Sequence, residues 1–296
     1  MSSLIDMSQL PAPSVVEALD YETILALMLT DLIQRDSTFS ALVESDPAYK
    51  ILEVCAYREH LIRQRVNDAS RGVMLAYATS TDLDHLAALY DVERLLVDQG
   101  DPEAVPPIPP TYESDDRLRL RVQMAPESWT TAGSRGSYAF HALSASALVK
   151  DVAVESPTPG EVVVTVLSAT GDGTVDTPLL EAVDAALSAE TVRPLCDAVT
   201  VQAAQITPYS IDAALTLYVG PDTETVRQAA AGAAQAYAAA QHRLGRDVTI
   251  SGLYAALHQP GVQRVAMLAP IADLEVDSSH AAWCQSITVT VAGSDE

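Results

Sequence analysis

Ser80-Thr-Asp-Leu-Asp-His-Leu-Ala-Ala-Leu-Tyr-Asp-Val-Glu-Arg94, Val105-Pro-Pro-Ile-Pro-Pro110 and Glu113-Ser-Asp-Asp-Arg-Leu-Arg-Leu-Arg-Val122 follow one another and divide the chain. In the first, Leu83, Leu86, Ala87 and Tyr90 share one face at helical spacing. The second cannot join a helix, because proline lacks the amide proton and its ring clashes with the preceding turn. It reads as an extended strap. In the third, Glu113–Arg117 and Asp115–Arg119 are i,i+4 pairs with the acid first, the favoured order. Acids at its start and Arg121 near its end also complement the helix dipole. Two short amphipathic helices around an irregular strap make a poor enzyme core but a reasonable joint between a helical arm and a folded body. Glu113, Asp115, Arg117, Arg119 and Arg121 are the candidate joint residues.

Before this joint the pattern is helical. Asp20 is placed to cap a helix over 21–33 whose apolar stripe is Ile24, Leu25, Met28, Leu29, Leu32 and Ile33. Ser45-Asp46-Pro47 starts a second helix, expected to run to about Tyr77 with Gly72 as its weak point. Ile51, Cys55, Ile62, Val66, Ala69 and Val73 are assigned to one face, and Arg58, Arg63, Arg65 and Arg71 to the other. About thirty helical residues span roughly 45 Å, more than a compact small domain requires. Either the two helices fold as a hairpin on themselves, or they form an arm that bundles with another chain. Leu25, Met28, Leu29, Leu32, Ile51, Ile62, Val66 and Val73 are the candidate assembly interface.

After about residue 131 strands enter. A helix over 136–148 precedes alternation at Val152 and Val154, a turn at 156–160 and a β-branched run over 161–167. Gly171-Asp-Gly173 closes that run, Thr177-Pro178 starts a helix, and 197–203 alternates again. A second lobe opens with Tyr209, Ile211, Ala213, Leu215, Leu217 and Val219 at every second position. Asp222 caps an alanine-rich helix with apolar residues from Val226 to Leu244, ended by Gly245. A short helix over 249–258 and strands over 262–268 and 286–291 complete it. The fold class is α+β: an N-terminal helical arm (1–92), a proline-rich strap with its charged helix (93–130), and two small α+β lobes (131–206 and 207–296).

Composition narrows the function. Seventeen Lys and Arg against forty Asp and Glu give a formal net charge of −23, with Lys50 and Lys150 the only lysines. Such a surface repels phosphate backbones, which disfavours nucleic acid as a partner. No window approaches 18 uninterrupted apolar residues and no secretory leader is visible, so neither membrane nor export is expected and the chain should fold in the cytoplasm. The cysteines, Cys55, Cys196 and Cys284, are sparse and odd in number, as in a reducing compartment. No histidine pairs with another at i,i+4, and no CxxC, phosphate loop or GxSxG elbow occurs. Gly171-Asp-Gly173 reads as a tight turn. No catalytic, cofactor-binding or metal residue is assigned.

The same segments, taken in order, resemble the baseplate assembly protein J family of contractile phage tails and related bacteriocins. The likeness begins at 83–94 and 113–121 and continues through Tyr138-Ala-Phe-His-Ala-Leu143 and Val149-Lys-Asp-Val-Ala-Val-Glu-Ser-Pro157. Gly160-Glu-Val-Val-Val-Thr-Val-Leu167, Val192-Arg-Pro-Leu-Cys-Asp-Ala-Val-Thr-Val201 and Tyr209-Ser-Ile-Asp-Ala213 carry it into the last lobe. Tyr90-Asp91 departs from it, standing where many relatives have glycine. The resemblance implies a structural wedge protein without cofactor or catalysis, found in the tail baseplate. Two copies would join a second baseplate wedge protein through their N-terminal helices. Neighbouring wedges would close a ring around a central hub, and a sheath-initiator protein would dock on that ring. The alternatives are a soluble cytoplasmic enzyme with a cleft between its lobes, or a non-ring adaptor.

Overall fold

A computed structural model describes residues 5–11, 13, 17, 19–130, 133–220 and 222–295. The expected first residue of the first lobe (131) and the proline before Asp222 lie outside the described residues. Contacts divide the chain into two units: Ser3–Glu93 with Ser114–Val122, and Arg94–Glu113 with Gln123–Glu296.

The first unit is helical. Helix α1 (Tyr21–Arg35) is capped by Asp20, whose carboxylate accepts from the Thr23 amide at 3.1 Å. Helix α2 (Pro47–Gly72) starts at its proline and ends five residues before the expected Tyr77. The chain then turns through Met74, Tyr77 and Ala78, whose amides bond to Arg71 and Met74 carbonyls. Ile24 and Leu25 pack on Ala56 to form the hairpin core, with Tyr21, Met28, Leu29, Tyr49 and Leu52 around them. Each large side chain buried there contributes about 1.5–3 kcal/mol. Asn67, 4% exposed, donates to the Glu17 carbonyl at 2.9 Å and accepts from the Glu17 amide at 3.0 Å. A side-chain amide thus ties the segment before α1 to α2.

Helix α3 (Ser80–Ala88) ends in a Schellman turn. The Val92 amide bonds to the Ala87 carbonyl and the Asp91 amide to the Ala88 carbonyl, both at 3.2 Å. Asp91, at φ +58°, occupies the left-handed position where relatives are expected to carry glycine. Aspartate is one of the few other residues that visits this region readily, so the departure at Tyr90-Asp91 leaves the turn intact.

The second unit begins with the strap, and here the structure differs from the expectation of an irregular segment. Strands β1 (Leu96–Asp98) and β2 (Thr111–Tyr112) pair antiparallel, and Asp101 and Ile108 exchange both backbone bonds at 2.9 Å. The prolines lie at the hairpin's end and on its return, where their missing amides interrupt no central ladder. Helix α4 (Asp115–Ser128) follows, belonging to the helical unit as far as Val122, and runs through Pro126, six residues beyond the expected end.

The first lobe holds α5 (Arg135–Ala145), β3 (Val149–Glu155), β4 (Glu161–Ser168), α6 (Thr177–Leu187) and β5 (Ala198–Ala203). Its sheet order is β3-β4-β5, antiparallel then parallel, with α6 making the crossover. The second lobe holds β6 (Gln205–Tyr218), α7 (Thr223–Gln241), α8 (Ile250–Leu257), β7 (Val262–Ala269) and β8 (His280–Asp295). Its sheet order is β7-β6-β8, again with one antiparallel and one parallel neighbour to the central strand. Each lobe has its own core: Tyr138, Val164, Val183 and Leu187 in the first, and Leu215, Leu217, Ala230 and Leu257 in the second. Ala204 alone separates β5 from β6. Its amide bonds back to Val166 of the first lobe, and the next amide, Gln205, bonds to Ser279 of the second.

Candidate assembly surfaces

The helical unit presents an apolar strip on α2. At 100° per residue, Ile51, Cys55, Ile62, Val66, Ala69 and Val73 fall within about 60° of arc. They face outward: Ile51, Ile62, Val66 and Val73 are each at least half exposed, Val73 at 71%. Tyr57 and Leu61 are also exposed, on the far side of Arg58 and Arg65 from the strip. Arg58 and Arg65 lie beside it and not on the opposite face, because steps of seven return almost to the azimuth of Ile51. Arg63 lies off the strip with its side chain 44% exposed, bridging Glu59 at 2.7 Å and Glu17 at 2.9 Å. The candidate interface residues therefore fall into two sets. Leu25 is buried in the hairpin, and Met28, Leu29 and Leu32 are half-buried. Ile51, Ile62, Val66 and Val73 remain available.

The candidate joint residues act mostly on backbone. Arg119 donates from Nε to the Leu75 carbonyl and from Nη2 to the Ala78 carbonyl, both at 2.8 Å. Its carboxylate partner is Asp116 at 2.7 Å, while Asp115 accepts from the Ser80 amide at 3.1 Å. Arg121, 4% exposed, donates to the Glu93 carbonyl at 3.0 Å. Arg117 lies in the first turn of α4, its amide bonded to Ser114 Oγ at 3.3 Å. These arginines clamp the start of α4 to the turns flanking α3. Leu118 and Val122, four apart, are buried on its inner face. In the second unit, Glu113 closes the base of the strap hairpin. Its carboxylate accepts from the Leu95 amide at 3.0 Å, its amide donates to the Leu95 carbonyl at 2.9 Å, and its carbonyl accepts from Arg94 at 2.8 Å. No composition or periodicity signal marks these carbonyl contacts, because a carbonyl acceptor has no residue identity.

The seam between the two lobes was not visible in the sequence either. Leu167, Ala204, Leu244 and Ala281 pack together there. Asp151 of β3 accepts from the Leu244 amide at 3.1 Å, and Glu155 pairs with the Ser278 hydroxyl. Burial pushes the Asp151 carboxyl above its usual range, against the pull of the two amides it accepts from. His242, 3% exposed, holds the Ala282 carbonyl through Nδ1 at 2.8 Å and lies edge-on to Trp283. Burial holds its imidazole below the ordinary value. Gly173 of Gly171-Asp-Gly173, at φ +95°, lies against this ring: a Cβ there would be 2.5 Å from Leu167 and 3.1 Å from His242. The glycine is therefore a packing requirement of the seam.

Among the described residues no group of three or more His, Cys, Asp or Glu is arranged to hold a metal ion. No helix of the described residues is long and apolar enough to cross a membrane.

Comparison with known proteins follows the same divisions. Three family profiles match in order: the Baseplate J-like N-terminal domain over residues 44–101, the Baseplate J-like central domain over 130–203 and the Baseplate J-like protein C-terminal domain over 209–290. Baseplate protein J of Escherichia phage P2 is 47% identical over 300 residues, an alignment covering 99% of each chain.

Proposed function

The chain belongs to the baseplate J-like family, and from that premise we propose that it is a structural component of a contractile-tail baseplate and not an enzyme. The observation that carries this reading is the end-to-end likeness to a protein named for the baseplate, with all three family domains in order. The exposed apolar strip on α2 supports it, since an amphipathic helix of 26 residues with an uncovered face suits a bundle shared among chains. In finer detail, two copies join a second wedge protein through the helical arm (1–92). The two lobes (131–206 and 207–296) contact neighbouring wedges, which close a ring around the hub and receive the sheath initiator. The segment 93–130, with Glu113, Asp115, Arg117, Arg119 and Arg121, serves as a joint whose angle changes when the sheath contracts. Assembly takes place in the bacterial cytoplasm, and the mature location is the tail baseplate.

The test is negative-stain microscopy of the material that co-purifies with the chain, repeated with Ile62→Asp and Val66→Asp together. Both positions are exposed, so the variant should keep wild-type helicity while losing the complex with its wedge partner. A sheathed tail carrying the chain at its baseplate is the expected image. Recovery of the chain as a lone compact oligomer, or an undiminished complex in the double variant, would contradict the assignment.

A further inference from the structure

The strap hairpin is ordered but buries almost nothing. From Leu96 to Tyr112 every side chain is exposed except Ala104, which is half-buried with Gly100. Val105 is 98% exposed, Ile108 55% and Tyr112 53%, and Pro106, Pro107, Pro109 and Pro110 are exposed beside them. Yet the backbone is tightly specified. Glu113 closes the base, Asp101 and Ile108 pair beyond it, and the Asp98 and Asp101 carboxylates accept from the Gly100 and Glu103 amides at 2.7 and 2.9 Å. Gly100, at φ +67°, lets the two sides cross: a Cβ there would stand 2.2 Å from the Ile108 carbonyl oxygen. Fixing a backbone residue opposes folding by about 1–2 kcal/mol, and burial of side chains normally offsets it. Among the described residues that burial is missing here.

The charge around the tip has one sign. Asp98, Asp101 and Glu103 flank the apolar residues, and no Lys or Arg occurs between Arg94 and Arg117. We infer that the tip, residues 98–110, is a preformed plug for a groove on a different protein chain, apolar and aromatic at its floor and rimmed by Lys or Arg. Rigid proline-rich segments dock on aromatic surfaces with little ordering left to do. The acids select a basic rim and steer the encounter. A second copy of this chain, at net charge −23, is the poorer electrostatic match. The inference takes the source of the partner, a neighbouring baseplate chain, from the reading above.

The test places a photo-crosslinking benzoylphenylalanine at Pro107 of the full chain, in cells expressing its native neighbours, and maps the crosslinked peptides by mass spectrometry. The expected product joins residue 107 to a peptide of another chain containing Lys or Arg beside aromatic residues. Val105→Asp with Ile108→Asp should lower the crosslink yield at least tenfold. Asp98→Asn, Asp101→Asn and Glu103→Lys together keep the turn-capping oxygens while removing the acidic rim, and should lower it severalfold at low salt and less at 0.5 M salt. All these positions are exposed, so thermal unfolding should not change, which separates lost docking from lost folding. A crosslink to a second copy alone, no crosslink, or yields indifferent to both sets of substitutions would overturn the inference. Presence of the chain in purified sheathed particles is scored separately, so its absence there counts against the baseplate reading and not against the tip.

Discussion

Replacing Arg119 with alanine should loosen the turn between α2 and α3 by about 3 kcal/mol. The guanidinium spans two carbonyls, Leu75 and Ala78, at 2.8 Å each, and its side chain is 14% exposed. A hydrogen bond from a charged donor contributes roughly 1.5–3 kcal/mol. The lower end applies to each, because water can reach the carbonyls once the side chain is gone. The ion pair with Asp116 adds little, since that carboxylate is 96% exposed. Hydrogen exchange of the Met74, Tyr77 and Ala78 amides reads the loss directly, and about 3 kcal/mol corresponds to roughly 150-fold faster exchange. Arg119→Lys keeps the charge but cannot span both carbonyls with one ammonium, so its effect should be about tenfold. Asp116→Ala should change exchange less than twofold. If Arg119→Ala accelerates exchange less than threefold, or Asp116→Ala matches it, the carbonyl clamp is not what holds this turn.

Two further expectations concern the lobe seam. Gly173→Ala should destabilise the lobes by about 2 kcal/mol or more, combining the left-handed backbone penalty with contact on Leu167 and His242. Gly171→Ala, at φ +60° in open space, should cost only about 1 kcal/mol; equal urea midpoints for the two variants would remove the close-approach argument. His242 gives a pH dependence of definite sign. Its folded-state affinity for a proton is lowered by burial, with Lys150 adding to that effect and Asp172 and the Ala282 carbonyl opposing it. The unfolded chain therefore takes up more protons just below the ordinary value of 6.5, and stability should fall as pH drops from 7.5 to 5.5. His242→Gln should flatten that slope in urea titrations followed by Trp283 fluorescence, and an unchanged slope would show that the ring does not carry it.

Much of this fold was legible because its signals are local. Pro47 fixes the start of α2, Asp20 and Asp222 cap their helices as expected, and the alternation from Tyr209 to Leu217 lies within the observed β6, with Val219 one residue beyond its end. The misreadings share a cause: an environment set by residues distant in sequence. The alanine-rich helix is expected to reach Leu244, and it buries Val226, Ala230, Ala234 and Ala238 but stops at Gln241. Leu244 is buried in the seam, beyond the helix end. Strand β8 begins at His280, six residues before its alternation is visible, because pairing with β6 and not side-chain pattern extends it. Among the candidate site residues, the spacing rule correctly placed Ile51, Ile62, Val66 and Val73 on one face. It could not tell whether α1 would cover that face, and α1 packs on the side of Ala56 instead.

The single residue between β5 and β6 has a mechanical consequence. Successive amides at Ala204 and Gln205 are anchored in opposite lobes, the apolar plug of Leu167, Leu244 and Ala281 sits beside them, and Asp151 and Glu155 reach across. A load applied to either lobe is carried across this weld by hydrogen bonds and packed side chains, with no slack segment to absorb it. The two lobes thus form one stiff lever arm. Turning one lobe against the other would have to break these amide bonds and open that apolar cluster, since no free linker lies between them.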